Sequence, residues 1–389
     1  MIKPIIGTIL FSIIFTFYCE DDTTFSNLVS SHGFESHTVV TEDLYELKLF
    51  RVQKTGSFTI KKRTILLMHG LCDSADSWAL NTHNSMVKAL LDEDWDIWVA
   101  NNRGNKYSCT HKTLNQKQKE FWMYSFQHMA AYDFPAILNF IHDRVDMPIT
   151  LVAHSQGTTQ IFAALSENTE LNSMVDKVMA IAPVAYMIGF DKGEAFYHFV
   201  ATHSLLHALS FMGYKSFFDG ALDSNRLMDY LIKYFCVKHH SVCNFFISNF
   251  SDKDPSSLDS VQIELFLKHF PSRTSIFSME HYMQMIAKGE PLLRKFDYGK
   301  TQNLKLYGTE EPTAYDLSKV DVPVYIYYGD NDLLSTMANT QQLLNTIKNI
   351  TSRFYKNWGH WSYFIAKEVD TFIEQVIEDI KGFRQAERI

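Results

Sequence analysis

Apolar and polar positions divide this chain into short buried runs and longer helical ones. Leu44-Tyr-Glu-Leu-Lys-Leu-Phe-Arg-Val52 alternates at a period of two and predicts a half-exposed strand. Thr64-Ile-Leu-Leu-Met68 is almost continuously apolar, which predicts a strand buried on both faces that stops at His69-Gly70-Leu71. Asp96-Ile-Trp-Val-Ala100 is a second such run, ending at Asn101-Asn-Arg-Gly104. Ile149–Ala153, preceded by Pro148, is a third, and Val178–Ala182, before Pro183, is a fourth. Tyr124–Ile141 has apolar residues at helical spacing, with Pro135 predicting a kink. Strands alternating with helices predict an α/β fold with a mostly parallel sheet.

From about Ala185 to about Glu310 the strand signal fades. Phe, His, Met and Leu crowd into helix-like runs at Phe196–Met212, Leu227–Phe235 and Val261–Phe270. The strand signal resumes at Pro323-Val-Tyr-Ile-Tyr-Tyr328. The pattern therefore predicts a core in two parts, 20–184 and 311–389, with a helical insertion at 185–310 covering the sheet edge. A second domain with its own core is the alternative. Most of the phenylalanines in these helices are expected to be packing residues.

The third buried run leads into Ala153-His-Ser155-Gln-Gly157, followed by Thr158–Leu165, which reads as a helix. A serine flanked at two-residue spacing by small residues, between a strand and a helix, fits a nucleophile elbow: a sharp turn that presents the Ser Oγ at the sheet edge. The usual pattern has Gly where Ala153 stands here. The plain alternative is an ordinary polar loop, since short motifs recur by chance.

Composition narrows the classes. The 389 residues are 46% hydrophobic and 21% charged, which suits a globular protein with a large core. A net charge of −8 and the lack of a basic block argue against nucleic acid as a partner. The 16 histidines make that negative charge shrink as pH falls towards 5. Lys3, the apolar run Ile5–Phe17 and Cys19-Glu-Asp-Asp have the shape of a secretory signal peptide, assigned to residues 1–19, with Cys19 leaving at the cut. The run is shorter than a membrane span needs, so no stable span is expected once it is removed. An uncleaved signal anchor is the alternative. Asn249-Phe-Ser251 and Asn349-Ile-Thr351 are glycosylation sequons that matter only in an exported chain. Cys236 and Cys243 are the closest cysteine pair. On one straight helix their Cα atoms would be roughly 10 Å apart, so a bridge needs a break near His239-His240-Ser241. The Cys/His spacing there matches no common zinc pattern.

Acyl transfer needs a nucleophile, a base, a group that orients the base, and donors for the oxyanion. Ser155 is followed by Gly329-Asp330-Asn331-Asp332, at the carboxyl end of a predicted strand, and by Gly359-His360 before a terminal helix. The order Ser, acid, His is that of the α/β-hydrolase fold. A glycine before His360 is expected to let that loop turn tightly. Asp330 and Asp332 lie two residues apart and alternation does not choose between them. Asp330, directly after Gly329, is the better candidate for a turn residue bonding its own backbone, which favours Asp332 as the orienting acid. By position, the oxyanion donors are the backbone N–H groups of Gln156 and Leu71.

Beyond these residues, the chain resembles the acid lipase family of α/β-hydrolases, which includes gastric lipase and lysosomal acid lipase. The matching stretches are Val39-Val-Thr-Glu-Asp43, Met68-His-Gly-Leu71 with Trp78, Trp98 with Asn102-Arg-Gly-Asn105, and Phe121–Phe126 with Met129–Pro135. They continue with His154–Thr158, Phe296-Asp-Tyr-Gly299 and Asp330-Asn-Asp-Leu-Leu334. The resemblance implies Ser155, Asp332 and His360 as a triad, Leu71 and Gln156 as oxyanion donors, and a helical cap with a mobile lid. The pair Cys236 and Cys243 resembles the family's cap disulfide with altered spacing. Two departures stand near the site: Ala153 for Gly, and Gly359-His360-Trp-Ser where the family has Asn-His-x-Asp. The cap is only loosely similar, so substrate preference does not carry over.

The sequence thus predicts a monomeric, secreted or lysosomal ester hydrolase acting on neutral lipid at a lipid–water interface, with no metal or cofactor. A non-catalytic lipid-binding or storage protein on the same fold, and a hydrolase of non-lipid esters or peptides, are the rival readings.

Overall fold

A computed structural model of the chain describes residues 19–54, 63–81, 84–190, 215–217, 244 and 247–386. The expected helices at Phe196–Met212 and Leu227–Phe235, and Cys236 and Cys243, lie outside these residues, as does the signal segment up to residue 18.

The described residues build a nine-stranded sheet in the order β1-β2-β4-β3-β6-β7-β10-β11. Its strands are β1 (Gly33–Val40), β2 (Tyr45–Gln53), β3 (Thr64–Met68), β4 (Asp96–Ala100), β6 (Ile149–His154), β7 (Val175–Ile181), β10 (Val324–Gly329) and β11 (Ile350–Tyr355), with β5 (Thr110–His111) beside β2. β2 runs antiparallel to β1, β4 and β5. From β4 to β11 every pairing is parallel.

Parallel strands joined by helical crossovers are covered on both faces, so both parities of each central strand are apolar. In β3, Leu66 and Met68 enter one core cluster while Ile65 and Leu67 enter the other. In β6, Leu151 and Ala153 join the first and Val152 the second. The first face is covered by helices Phe134–Val145 and Gln156–Glu167. The second is covered by Met86–Asp92 and the C-terminal helix, through Phe372, Val376 and Ile380. β1 and β11 were not anticipated. They are outer strands, and β11 is largely exposed, so neither carries the apolar run that marks a buried strand. Pro135 does not kink a continuous helix: a π turn at Met129–Asp133 comes first, and Pro135 sits in the first turn of Phe134–Val145, where its missing N–H costs nothing.

Between β7 and β10 the chain adds the small sheet β8 (Ser216–Phe217) with β9 (Thr274–Ser275), and helices Ser260–His269, Ile276–Lys288 and Lys300–Tyr307. The described part of this insertion is tied to the core. Ser272 N donates to Cys72 O at 2.7 Å, and His269 Nδ1 lies 2.7 Å from the buried Asp76 carboxylate. Ser275 Oγ donates to Tyr124 O at 2.6 Å.

At the amino end the expectation needs correction. Cys19, expected to leave with a leader, is disulfide-bonded to Cys109, with Cα atoms 5.7 Å apart. Glu20 N also donates to Lys106 O at 2.8 Å. A cut after residue 19 would remove one half of this disulfide. Cys72 is a free, buried thiol, and burial pushes its pKa up to about 12.

The loop after β4 is anchored by a buried cation. Arg103 is 1% exposed and bonds Asp133 through Nε at 2.8 Å and Asp43 through Nη1 at 2.6 Å, above the ring of Tyr45. Burial raises Asp43, but the Arg103 bonds outweigh it and leave that carboxyl below its ordinary range. For the more deeply buried Asp133, desolvation wins over the same guanidinium and the pKa rises. Removing the cation strands Asp133, and breaking a buried pair on one side costs about 3–5 kcal/mol. Arg103→Met should lose that much in chemical denaturation. A loss below about 1 kcal/mol would show that the network does not anchor the fold.

Candidate active site

Ser155 sits between β6 and the helix Gln156–Glu167 at φ 51°, ψ −121°, a left-handed conformation that non-glycine residues rarely adopt. Such a backbone costs about 1–3 kcal/mol and persists only where its surroundings impose it. Here Ser155 N donates to Ile181 O at 3.1 Å, and Thr158 N donates back to Ser155 O at 2.9 Å. A Cβ on Gly157 would fall 2.6 Å from Met68 O and 2.9 Å from His69 O. The helix start therefore packs directly on the end of β3, which requires glycine at 157. Ala153 is wholly buried within β6, opposite Met68 and Ala180.

Three sequence-distant residues meet at the carboxyl ends of the strands. Ser155 Oγ lies 2.8 Å from His360 Nε2. His360 Nδ1 lies 2.9 Å from Asp332 Oδ2 and 3.1 Å from Oδ1. The carboxylate makes Nδ1 the protonated nitrogen, so Nε2 is the acceptor for the serine hydroxyl. Asp332 Oδ1 also accepts the Leu334 and Ser335 N–H groups, each at 2.7 Å, which fixes the carboxylate. All three side chains are nearly buried: Ser155 is 6%, Asp332 2% and His360 3% exposed.

Asp330 is exposed, and its Oδ1 accepts Asn357 N–H at 2.6 Å. It is thus a loop-tying residue, although it bonds the neighbouring loop and not its own backbone as expected. Gly329 is explained by close approach, since a Cβ there would lie 2.1 Å from Trp358 O. Gly359 also differs from expectation. It does not take a left-handed turn conformation, and a Cβ there would fall 2.2 Å from Asp252 Oδ1.

The two expected oxyanion donors belong to the residue after the serine and to the loop after β3. Gln156 is the first residue of its helix, so its N–H has no acceptor within the helix. Gly70 passes close to the elbow, its Cβ position being 3.1 Å from Ser155 Cβ and 3.0 Å from His154 Nδ1. Its carbonyl is 2.8 Å from His69 Nδ1, while His69 Nε2 accepts Asn102 N–H at 3.0 Å. Across a trans peptide the N–H opposes the C=O, so this bond turns the Leu71 N–H away from the His69 ring.

Comparison with known proteins bears on the fold and the family. A family profile described as the alpha/beta hydrolase fold matches residues 63–214, and one described as a partial alpha/beta-hydrolase lipase region matches 25–82. The chain is 31% identical to lipase member K of Mus musculus over 88% of its length and 86% of the relative's. The chain belongs to the acid lipase family of α/β-hydrolases. It is 32% identical to gastric triacylglycerol lipase of Rattus norvegicus, over 85% of this chain and 84% of that one. Among solved structures, a carboxylesterase of Nitrososphaera gargenis has a TM-score of 0.54 at 12% identity, covering 90% of this chain and all 100% of its own, which reflects the fold alone. As a family member the protein is a carboxylic ester hydrolase of the lipase type.

The sequence assigned no role to some residues around this lipase's site. His154 Nε2 is 2.9 Å from His360 O, and burial first, then the neighbouring His360, push its pKa well below the ordinary value. It therefore stays neutral and donates to that carbonyl. His69 and His128, each near 4, and His281, near 3, are likewise held neutral by burial. These four histidines add little charge at pH 5, so the expected charge swing is smaller than their number suggested. Among the described residues no cluster could hold a metal ion, and no helix is long and apolar enough to cross a membrane.

The tight contact at Gly157 gives a test of the elbow. Gly157→Ala presses a methyl group onto two backbone carbonyls that cannot rotate away. Overpacking of this kind costs about 1–3 kcal/mol. The expected outcome is a melting temperature lower by several degrees and a fall in ester turnover per folded molecule. A variant with unchanged melting and turnover would show that the contact has slack.

Proposed function

We propose that this lipase hydrolyses neutral lipid esters, triacylglycerols or sterol esters, through a covalent acyl-enzyme on Ser155. The single observation that carries the reading is the unbroken bonded path from Asp332 through His360 to Ser155 Oγ. The name of the gastric relative supports the lipid substrate class.

Ser155 Oγ attacks the ester carbonyl carbon while its proton passes to His360 Nε2. The carbonyl oxygen becomes an oxyanion, held by the N–H groups of Gln156 and Leu71. The Gln156 donor is also the positive end of a helix, which favours developing negative charge. The tetrahedral adduct collapses, the bond to the leaving alcohol breaks, and that alcohol takes the proton from His360. Water, deprotonated by His360, then attacks the acyl carbon and releases the fatty acid, restoring Ser155. Asp332 holds the Nδ1–H tautomer and stabilises the transient imidazolium.

The export reading is supported by the amino-terminal signal pattern and by the Cys19–Cys109 bond, because disulfides persist mainly in oxidising compartments. Secretion and delivery to the lysosomal lumen both fit. Asn249 and Asn349 are exposed, as glycan acceptors must be. The reading needs no cofactor and only one copy of the chain.

The experiment is fatty-acid release from emulsified triacylglycerol, beside hydrolysis of one soluble ester. Ser155→Ala should lower turnover by about 10⁶-fold, the scale for losing such a nucleophile. A folded variant with near-normal turnover would end the proposal. Asp332→Asn should cost roughly 10⁴ in kcat by favouring the wrong tautomer. Asp330→Asn should leave kcat within a few-fold and lower the melting temperature slightly. The reverse pattern would move the orienting role to Asp330. Ester turnover without fatty-acid release from the emulsion would exclude the lipid assignment while keeping the chemistry.

A further inference from the structure

Asp252 lies in the insertion, far from the triad in sequence, yet it touches both loops that carry the acid and the histidine. The Ser362 hydroxyl donates to its Oδ1 at 2.8 Å, and the Trp361 N–H donates to its Oδ2 at 3.2 Å. Ser362 Oγ in turn accepts the Gly359 N–H at 2.8 Å. The residues on either side of His360 thus converge on one carboxylate. His360 lies between them, its own carbonyl held by His154.

The same stretch fixes the loop of the acid. Asp252 pairs as an antiparallel bridge with Asp332 itself. Lys253 N donates to Asn331 O at 2.9 Å, and Leu333 N donates to Ser251 O at 3.0 Å. The Asn331 side chain bonds Asp254 twice, at 2.7 Å and 2.6 Å. Gly359 supplies an independent sign that the contact is built in, because any side chain there would occupy the space of the Asp252 carboxylate.

We propose that Asp252 is a positioning residue for His360: its carboxylate, delivered by the insertion, sets the height and tilt of the imidazole between Ser155 and Asp332. The inference rests on the reading of His360 as general base. It makes residues 251–254 a fixed buttress of the site, so a lid would have to move without them. Holding a carboxylate here is costly. Asp252 is wholly buried, among the described residues no cation pairs with it, and burial and then nearby Asp332 raise its pKa to about 6. An uncharged side chain would fill the space at lower desolvation cost. What the carboxylate adds is two strong acceptors aimed at two donors of one short loop.

The test compares Asp252→Asn and Ser362→Ala with the parent enzyme on a soluble short-chain ester, measuring kcat, KM, the rate of Ser155 labelling by a fluorophosphonate, and the thermal melt. Asp252→Asn keeps the shape but replaces one of the two acceptors with an amide donor, so the Trp361 N–H and the Ser362 hydroxyl cannot each keep its own acceptor oxygen. Displacements of about 1 Å can cost roughly 100-fold in rate. The expected result is a 10- to 100-fold fall in kcat and in labelling rate, with KM within about twofold. The double variant should be no slower than the worse single one, since both act through one link. A lower melt with kcat per folded molecule unchanged would reduce Asp252 to a structural role and overturn the inference. If Asp252→Asn does not fold, Ser362→Ala decides: folded with normal kcat and labelling, it overturns the inference equally. Ser155→Ala, run in parallel, separates the two readings. If it is inactive while Asp252→Asn is fully active, only the positioning role falls. If it is active, the triad reading itself falls.

Discussion

The arrangement of the site depends on the contact between the start of the elbow helix and the end of β3. Gly157 leaves no room for even a methyl group against Met68 O and His69 O. That contact, with the bond from Ser155 N to Ile181 O, holds Ser155 in a backbone conformation it would not otherwise keep. β3 and β7 flank β6 in the sheet, so the strain is imposed by the most deeply buried strands of the molecule. The serine is presented at the strand ends because rigid neighbours on both sides leave its turn no alternative.

Around that fixed point the protein manages several charges that burial penalises. Asp332 is capped by two backbone N–H groups as well as by His360. Arg103 is satisfied by two carboxylates. Asp76 gathers Lys106, Tyr107 and His269 and so joins the loop after β3 to a helix of the insertion. Asp252 has hydroxyl and amide partners and no cation among the described residues. Each of these groups ties segments far apart in sequence, and three of them join loops around Ser155. The insertion is accordingly part of the structure that holds the site, as the bridges from Asp252 to Asp332 and from Leu258 to Ala366 show.

The sequence by itself determined the central strands, because β3, β4, β6, β7 and β10 are buried on both faces and so are written as apolar runs. It also determined the serine, acid and histidine candidates, because each falls where such a run ends or a helix begins. What tertiary structure alone decided has a common physical cause. β1 and β11 are outer strands whose exposure erases the apolar pattern. Alternation alone did not separate Asp332 from Asp330; turn chemistry and the family resemblance favoured Asp332, and the fold puts His360 against it while Asp330 is exposed. The reasons for Gly329 and Gly359 lie in atoms more than 25 residues away in one case and more than 100 in the other, Trp358 O and Asp252 Oδ1. The Cys19–Cys109 bond spans 90 residues and leaves no local trace. Local pattern records what a residue needs from water and from its own strand or helix, whereas close approach between distant segments is recorded only in the folded chain.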